Sequence, residues 1–238
     1  MSAPASPQQK ATFVTGSTMR HVAVMTATGS IGLIAVFAVD ALNLFYISLL
    51  GTQELAAAIG FAGTLMFFIT SISIGFTISA SALVSRALGR NDRAEAARMG
   101  GASMMFMALA TVTITAAIWP FLDHLVGLLG ASGETRRLAT RFLQIVIPST
   151  PLISLGMCAT GIMRGTGDAR RSMYATLAGG ITTAIVDPIL IFGLGLGLDG
   201  AAIATVLSRV VLLAVGLHGA HSVHRLIALP APRKLGRA

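Results

Sequence analysis

The chain has 238 residues, of which 54% are hydrophobic and only 11% charged, with a mean hydropathy of +0.80. Such a composition lies well outside that of soluble globular domains and excludes one. The net charge of +8 is spread over short segments between apolar runs rather than gathered with aromatics on one face, so no nucleic-acid partner is expected.

Residues 1–20 form a tail whose first nine residues are polar and uncharged, without the basic stretch that opens a signal peptide. Six apolar runs follow, at 22–50, 55–84, 99–122, 138–163, 173–196 and 200–219. Each suffices for the helix of about 20 residues that crosses a hydrocarbon core. The alternation of barrel strands is absent. The expected fold class is therefore an all-α integral membrane protein, with six transmembrane helices over 21–222 and a basic tail over 223–238.

Small signals punctuate these runs. Ser71, Gly75 and Ser79 step by four along the second run, and Gly161 and Gly165 do so at the end of the fourth. Both sets predict close helix packing. Gly89 suits a left-handed helix terminus, and Asp92 with Glu95 has capping-box spacing for the next helix. Cys158, the single cysteine, excludes an intrachain disulfide and lies in an apolar helix, where packing is its expected role. His218, His221 and His224 recur every third residue, but steps of three drift around a helix and no acid or cysteine is nearby, so no metal site is expected. No nucleophile–base pair or metal-ligand set suggests an enzyme, and no cofactor is implied beyond H⁺ or Na⁺ as a coupling ion.

Orientation follows from the 17 lysines and arginines. All but Arg136, Arg137, Arg141 and the embedded Arg209 fall in the two tails or in the second and fourth loops. Positive-inside bias then places both termini in the cytoplasm, with Tyr46 and Trp119 near the outer interface.

Three charged residues lie well inside apolar runs: Asp40, Asp187 and Arg209. A mid-membrane charge costs roughly 2.5–3.5 kcal/mol on insertion scales, so such residues usually face a protein interior or a water-filled cavity. At helical rise, Asp40 and Asp187 lie about 15 and 14 Å below the outer ends of their spans, and Thr205 about 8 Å below the start of the sixth. Arg209 stands one turn deeper than Thr205 on the same face. Compatible depths suggest a shared cavity, and Pro188 loosens the helix beside Asp187. Structural roles stay open: Asp40 bonded to Asn43 or threonines, Asp187 paired with Arg209.

Several stretches then resemble the multidrug and toxic compound extrusion (MATE) family of secondary transporters. They are Val39-Asp40, Leu50-Gly51-Thr52-Gln53-Glu54-Leu55-Ala56-Ala57 and Ala87-Leu88-Gly89-Arg90-Asn91-Asp92. Further along come Met163-Arg164-Gly165-Thr166-Gly167-Asp168-Ala169-Arg170, Val186-Asp187-Pro188-Ile189-Leu190-Ile191-Phe192-Gly193-Leu194-Gly195 and Gly200-Ala201-Ala202-Ile203-Ala204-Thr205. The resemblance implies one lobe of a two-lobe, twelve-span exporter of cationic or amphipathic compounds in the prokaryotic inner membrane, driven by proton or sodium influx. It assigns Asp40, Asp187 and Thr205 to a coupling-ion and substrate cavity. This chain departs from the family pattern at Val36 and Phe142, where tyrosines are usual, and at Thr160 and Thr183, where asparagines are. Thr160, Thr183 and Arg209 are secondary cavity-lining candidates. A less polar setting favours the protonated carboxyl, hence proton over sodium coupling. The implied partners are small-molecule substrates, membrane lipid, and either a second copy of the chain or a separate six-helix lobe. Rival readings are a non-transporting half-transporter or membrane subunit, and a flippase for lipid-linked sugars.

Overall fold

A computed structural model describes residues 18–223 and Leu226, apart from the side chains of Thr18, His21, Leu33, Val36, Asp40 and Val223. The described residues are helical and contain no strand. Eight α-helices are present: α1 (Thr18–Ser48), α2 (Gln53–Gly89), α3 (Arg93–Ile118), α4 (Leu122–Leu128), α5 (Gly133–Val146), α6 (Thr150–Gly165), α7 (Ala169–Pro188) and α8 (Gly197–Leu217). Continuous helical stretches built from these give six segments long and apolar enough to cross a membrane. The six expected spans are all found.

The lobe is built inside out relative to a soluble domain. Ile34, Phe37, Phe67, Phe68, Ile78 and Leu109 are exposed, whereas small residues such as Ala58, Ala62, Ala80, Ala159 and Ala201 take many of the buried positions, beside larger ones such as Leu143 and Ile162. Lipid is as apolar as leucine, so burying large side chains gains little, and close backbone approach supplies the packing instead. The seam between α2 and α6 shows how. A methyl group added at Gly161 would lie 2.7 Å from Thr77 Cγ2 and 2.9 Å from its carbonyl oxygen, and one at Gly165 would lie 2.8 Å from Ser81 O. Ser73 and Ser154 share a hydroxyl hydrogen bond of 2.8 Å higher on the same seam. Spans four and six run parallel, Gly156 meeting Leu212 and Gly216 meeting Ala159.

The expected ridge of Ser71, Gly75 and Ser79 behaves otherwise. All three are exposed, nothing lies within 4 Å of a methyl group at Gly75, and both hydroxyls bond their own helix. These residues face away from the interior because the opposite face of α2, with Ala62, Ser73, Thr77 and Ala80, is the one turned inward. The terminus of α2 also differs from expectation. Gly89 stays helical, and Asn91 takes the left-handed conformation at φ +57°, which asparagine tolerates better than most residues. Asp92 then caps α3 by accepting from Glu95 N at 2.8 Å, but Glu95 pairs with Arg98 instead of completing the box. The turn recurs 76 residues later, since Asp92 N donates to Ala87 O as Asp168 N does to Met163 O, and Asp168 caps α7.

Span four is not one helix. A tight 3₁₀ turn over Ile147–Ser149, with Pro148 at its centre and Pro151 in the first turn of the helix that follows, separates α5 from α6. Prolines lack the N–H a helix needs and clash with the preceding turn, so the break is local chemistry. Span five loosens in its own way: Pro188 ends α7, and a π-helical turn over Ile189–Gly193 follows.

Candidate functional site

Asp187 sits in the last turn of α7 and is 1% exposed. Neither of its carboxylate oxygens has a hydrogen-bond partner among the described residues. A buried polar group in this condition costs roughly 1–3 kcal/mol, more if charged, so its presence calls for an explanation outside packing. The helix that carries it packs most extensively against α8 and α1. On the α8 side, Gly179 approaches Leu212 and Ser208, while Gly200 meets the backbone of Leu190. On the α1 side, a methyl group at Gly180 would touch Val39 at 3.1 Å, and Tyr46 and Phe192 meet edge to face with centroids 6.3 Å apart.

Those two α1 contacts fix the register of spans one and five, which run in the same direction. Val39 adjoins Asp40, so the Asp40 turn of α1 runs beside α7. The side chain of Asp40 lies outside the described residues. Asn43 falls at about the level of Asp187 by helical rise, and its Oδ1 is likewise buried without a partner. Two unsatisfied polar side chains thus stand on neighbouring helices. Sequence reading had treated Asn43 only as a partner for Asp40; unmet hydrogen-bonding capacity is the signal that marks it, and only coordinates carry that.

Of the candidate threonines, Thr160 and Thr183 are buried and Thr205 is half-buried, and all three make local bonds. Thr183, one turn below Asp187, donates to Gly179 O at 3.3 Å; Thr160 donates to Met157 O at 2.8 Å; Thr205 donates to Ala201 O at 2.9 Å. Each hydroxyl proton is therefore committed to its own helix, which leaves oxygen lone pairs as the groups these residues can offer a ligand. That arrangement suits a cation or a proton donor better than an anion.

Arg209 is placed differently. It is 4% exposed and turns away from Asp187 toward the break in span four, donating to Val146 O at 2.9 Å and Ser149 Oγ at 2.8 Å. Met66 of α2 lies 3.9 Å away on its other side. No ion pair joins Arg209 to Asp187 among the described residues, so the buried salt bridge left open by the sequence does not form. Val146 and Ser149 are partners that nothing in the sequence singled out.

At the end of the bundle that holds α4, Asp123 pairs with Arg136, Glu134 with Arg137, and Asp199 with Arg141. They leave the three arginines of that side neutralised. The Trp119 indole donates to Gln144 O at 3.4 Å. His218 and His221 fall in a π-helical turn, His224 lies outside the described residues, and no metal-ligating cluster occurs among the described residues.

Comparison with known proteins identifies the family and the fold. The MatE family model matches residues 29–189. The chain is 33% identical over 172 residues to the multidrug export protein MepA of Staphylococcus aureus, covering 71% of this chain and 38% of that relative. It is 31% identical over 208 residues to an FAD transporter of Shewanella oneidensis, covering 85% and 46%. Among solved structures, a MOP superfamily transporter from Pyrococcus furiosus matches with a TM-score of 0.87 and 26% identity over 98% of this chain and 52% of that one. A MATE protein in complex with MaD3S matches at 0.85 and 27%, over 97% and 52%. The chain spans about half the length of the structures it matches and less than half of these two curated relatives. It is an integral membrane protein, and it belongs to the MatE (multidrug and toxic compound extrusion) family.

Proposed function

We propose that this chain is one lobe of a secondary active antiporter of the cell membrane, with both termini cytoplasmic, that exports cationic or amphipathic compounds in exchange for protons. The observation that carries the reading is Asp187, a carboxyl group buried in an apolar lobe with both oxygens unmatched. Keeping such a group destabilises the fold, and proton exchange gives it a use. Asp40 on the adjoining helix and Thr205 on α8 complete the proposed coupling site, with Thr160 and Thr183 lining it.

In this mechanism, substrate and proton occupy the site in turn. The deprotonated acids attract a cation from the cytoplasmic side; protonation from outside neutralises them and releases it. Alternating access comes from rocking helix bundles around a mid-membrane site. One lobe supplies one wall of the cleft. Six spans bring the chain back to its starting side, so a second copy standing parallel, or a separate six-helix lobe, supplies the other.

A second reading concerns substrate. The FAD transporter is matched over more of this chain than MepA is, which favours including a dinucleotide among the compounds tested. One experiment addresses both readings: efflux of ethidium, a cationic dye, and of FAD from cells expressing the chain, with Asp40→Asn and Asp187→Asn as variants. Loss of dye export in either variant, and its collapse when the proton gradient is removed, supports the proposal. Equal export by parent and both variants would remove the site assignment, and dependence on sodium alone would remove proton coupling.

A further inference from the structure

A helix broken in mid-membrane exposes carbonyls that lipid cannot satisfy, so something in the protein must. Pro148 and Pro151 free the carbonyls of Gln144 and Ile147, the residues four positions before each. Both of these carbonyls, and that of Val146 beside them, have a donor. Trp119 of the third span takes Gln144 O, and Thr150 N takes Ile147 O. Val146 O receives both Ser149 Oγ, at 2.7 Å, and the guanidinium of Arg209. Among the described residues Arg209 has no carboxylate partner and its Nε has no hydrogen-bond partner. Its charge is set against the carbonyl end of α5, where a helix dipole favours a cation.

This contact is one of two polar ties between α5 and α8 among the described residues. The other is Arg141 with Asp199, at the outer start of span six. Between them they grip both ends of one stretch of α5 with directional, charged bonds. The remaining contacts of α5 are apolar: Ala139, Leu143 and Val146 share one cluster with Ala58, Ala62 and Leu65 of α2 and with Leu198, Ala201 and Ala202 of α8, and such contacts are non-directional. Below the break, α6 is held separately through Gly161 and Gly165 to α2 and through Gly156 to α8. The attachments of span four therefore change character at Ile147–Ser149.

We propose that Arg209 is a positioning residue: through Val146 and Ser149 it holds the outer half of span four to span six, so that α5 and α8 move as one body about the turn Ile147–Ser149. Its purpose rests on the transport reading, because α8 also carries Thr205 and borders α7, and displacement there would be passed to the outer mouth of the lobe. The mechanical claim can be tested without any transport.

Spin labels on the full chain in lipid nanodiscs provide the test, in a Cys158→Ala background that removes the native thiol. One pair, Gln144→Cys with Leu207→Cys, spans α5 and α8; a second, Leu152→Cys with Val215→Cys, spans α6 and α8. With Arg209 present, both pairs give a single narrow distance peak. Arg209→Met is expected to abolish the narrow α5–α8 peak and leave the α6–α8 peak intact, and Arg209→Lys to restore part of it. Ser149→Ala, which keeps the cation and removes one acceptor, gives a weaker version of the same change and serves if Arg209→Met fails to fold. An unchanged α5–α8 peak in Arg209→Met, or in Ser149→Ala when that variant stands alone, overturns the proposal. So does equal broadening of both pairs, the mark of general loosening.

Discussion

Gly161→Ala and Gly75→Ala make a controlled pair, because Gly161 on α6 faces α2 across a packed seam and Gly75 on α2 faces away from the interior. At Gly161 the new methyl would sit 2.7 Å from Thr77 Cγ2 and 2.9 Å from a backbone oxygen. Ordinary contacts begin at roughly 3.5 Å, so α2 and α6 must part by several tenths of an ångström. Overpacking of this kind costs about 1–3 kcal/mol. At Gly75 the methyl meets nothing within 4 Å. Both substitutions gain the same helix propensity, about 1 kcal/mol, so that gain cancels in the difference. The gap between the two variants is then the overpacking itself. For a chain of this size, roughly 2–4 °C per kcal/mol turns that into a melting gap of about 2–12 °C, with Gly161→Ala the lower. The molecule supplies its own probe: Cys158 is fully buried on α6, so a thiol-reactive dye lights up as the helices separate. Equal melting temperatures, or a lower one for Gly75→Ala, would refute the claim that the Gly161 face is the packed one. Thr77→Ser removes the closer of the two obstructions and should return part of the loss.

Three shorter predictions follow from individual groups. Asp187→Leu removes two unsatisfied buried oxygens and should raise thermal stability by up to about 1–3 kcal/mol while abolishing proton-driven export; a drop in melting temperature would mean the carboxyl is paired after all. Trp119→Phe deletes a long hydrogen bond to Gln144 O and should destabilise the lobe by about 0.5–1 kcal/mol, read by the same thiol assay, whereas Trp119→His, which can keep an N–H, should recover part of that. Asn91→Val forces a β-branched side chain into the left-handed region and should cost about 1–2 kcal/mol, but Asn91→Gly should leave stability within a few tenths; similar melting of the two would show that the turn conformation is mistaken.

Helix number and composition were legible because lipid imposes a coarse rule, apolar runs of a fixed minimum length, which needs no knowledge of neighbours. Packing was legible only in part. Gly161-Gly165 and Ser71-Gly75-Ser79 carry the same spacing and the same small residues, yet one pair meets backbone and the other set meets nothing. Spacing shows that a face permits close approach and does not show that a partner arrives. Local turn chemistry failed by one step for a similar reason. Gly89 and Asn91 both tolerate a left-handed backbone, and the choice between them depends on where the next cap, Asp92, must lie. The broken span was foreseeable from Pro148 and Pro151, but reading the run as apolar throughout concealed it.

Asp187 and Arg209 sharpen the point, since the sequence presents them as equivalents: lone charges at similar depth in neighbouring spans, complementary in sign. Had they paired, both would be structural and the case for a coupling site would weaken. Their surroundings separate them. Arg209 gives both hydrogens of one nitrogen to the broken end of α5, so its charge faces backbone dipoles and its removal takes one of two donors from Val146 O and the one guanidinium bond from Ser149. Asp187 gives and receives nothing among the described residues, so its removal leaves nothing unmet. A buried polar group with no structural duty persists under selection for something other than the fold. By this criterion the acid fits the transport chemistry proposed above and the arginine the frame that carries it. A double variant tests that division, because Asp187→Leu and Arg209→Met should have opposite effects on stability and combine additively, as sites without a shared partner do.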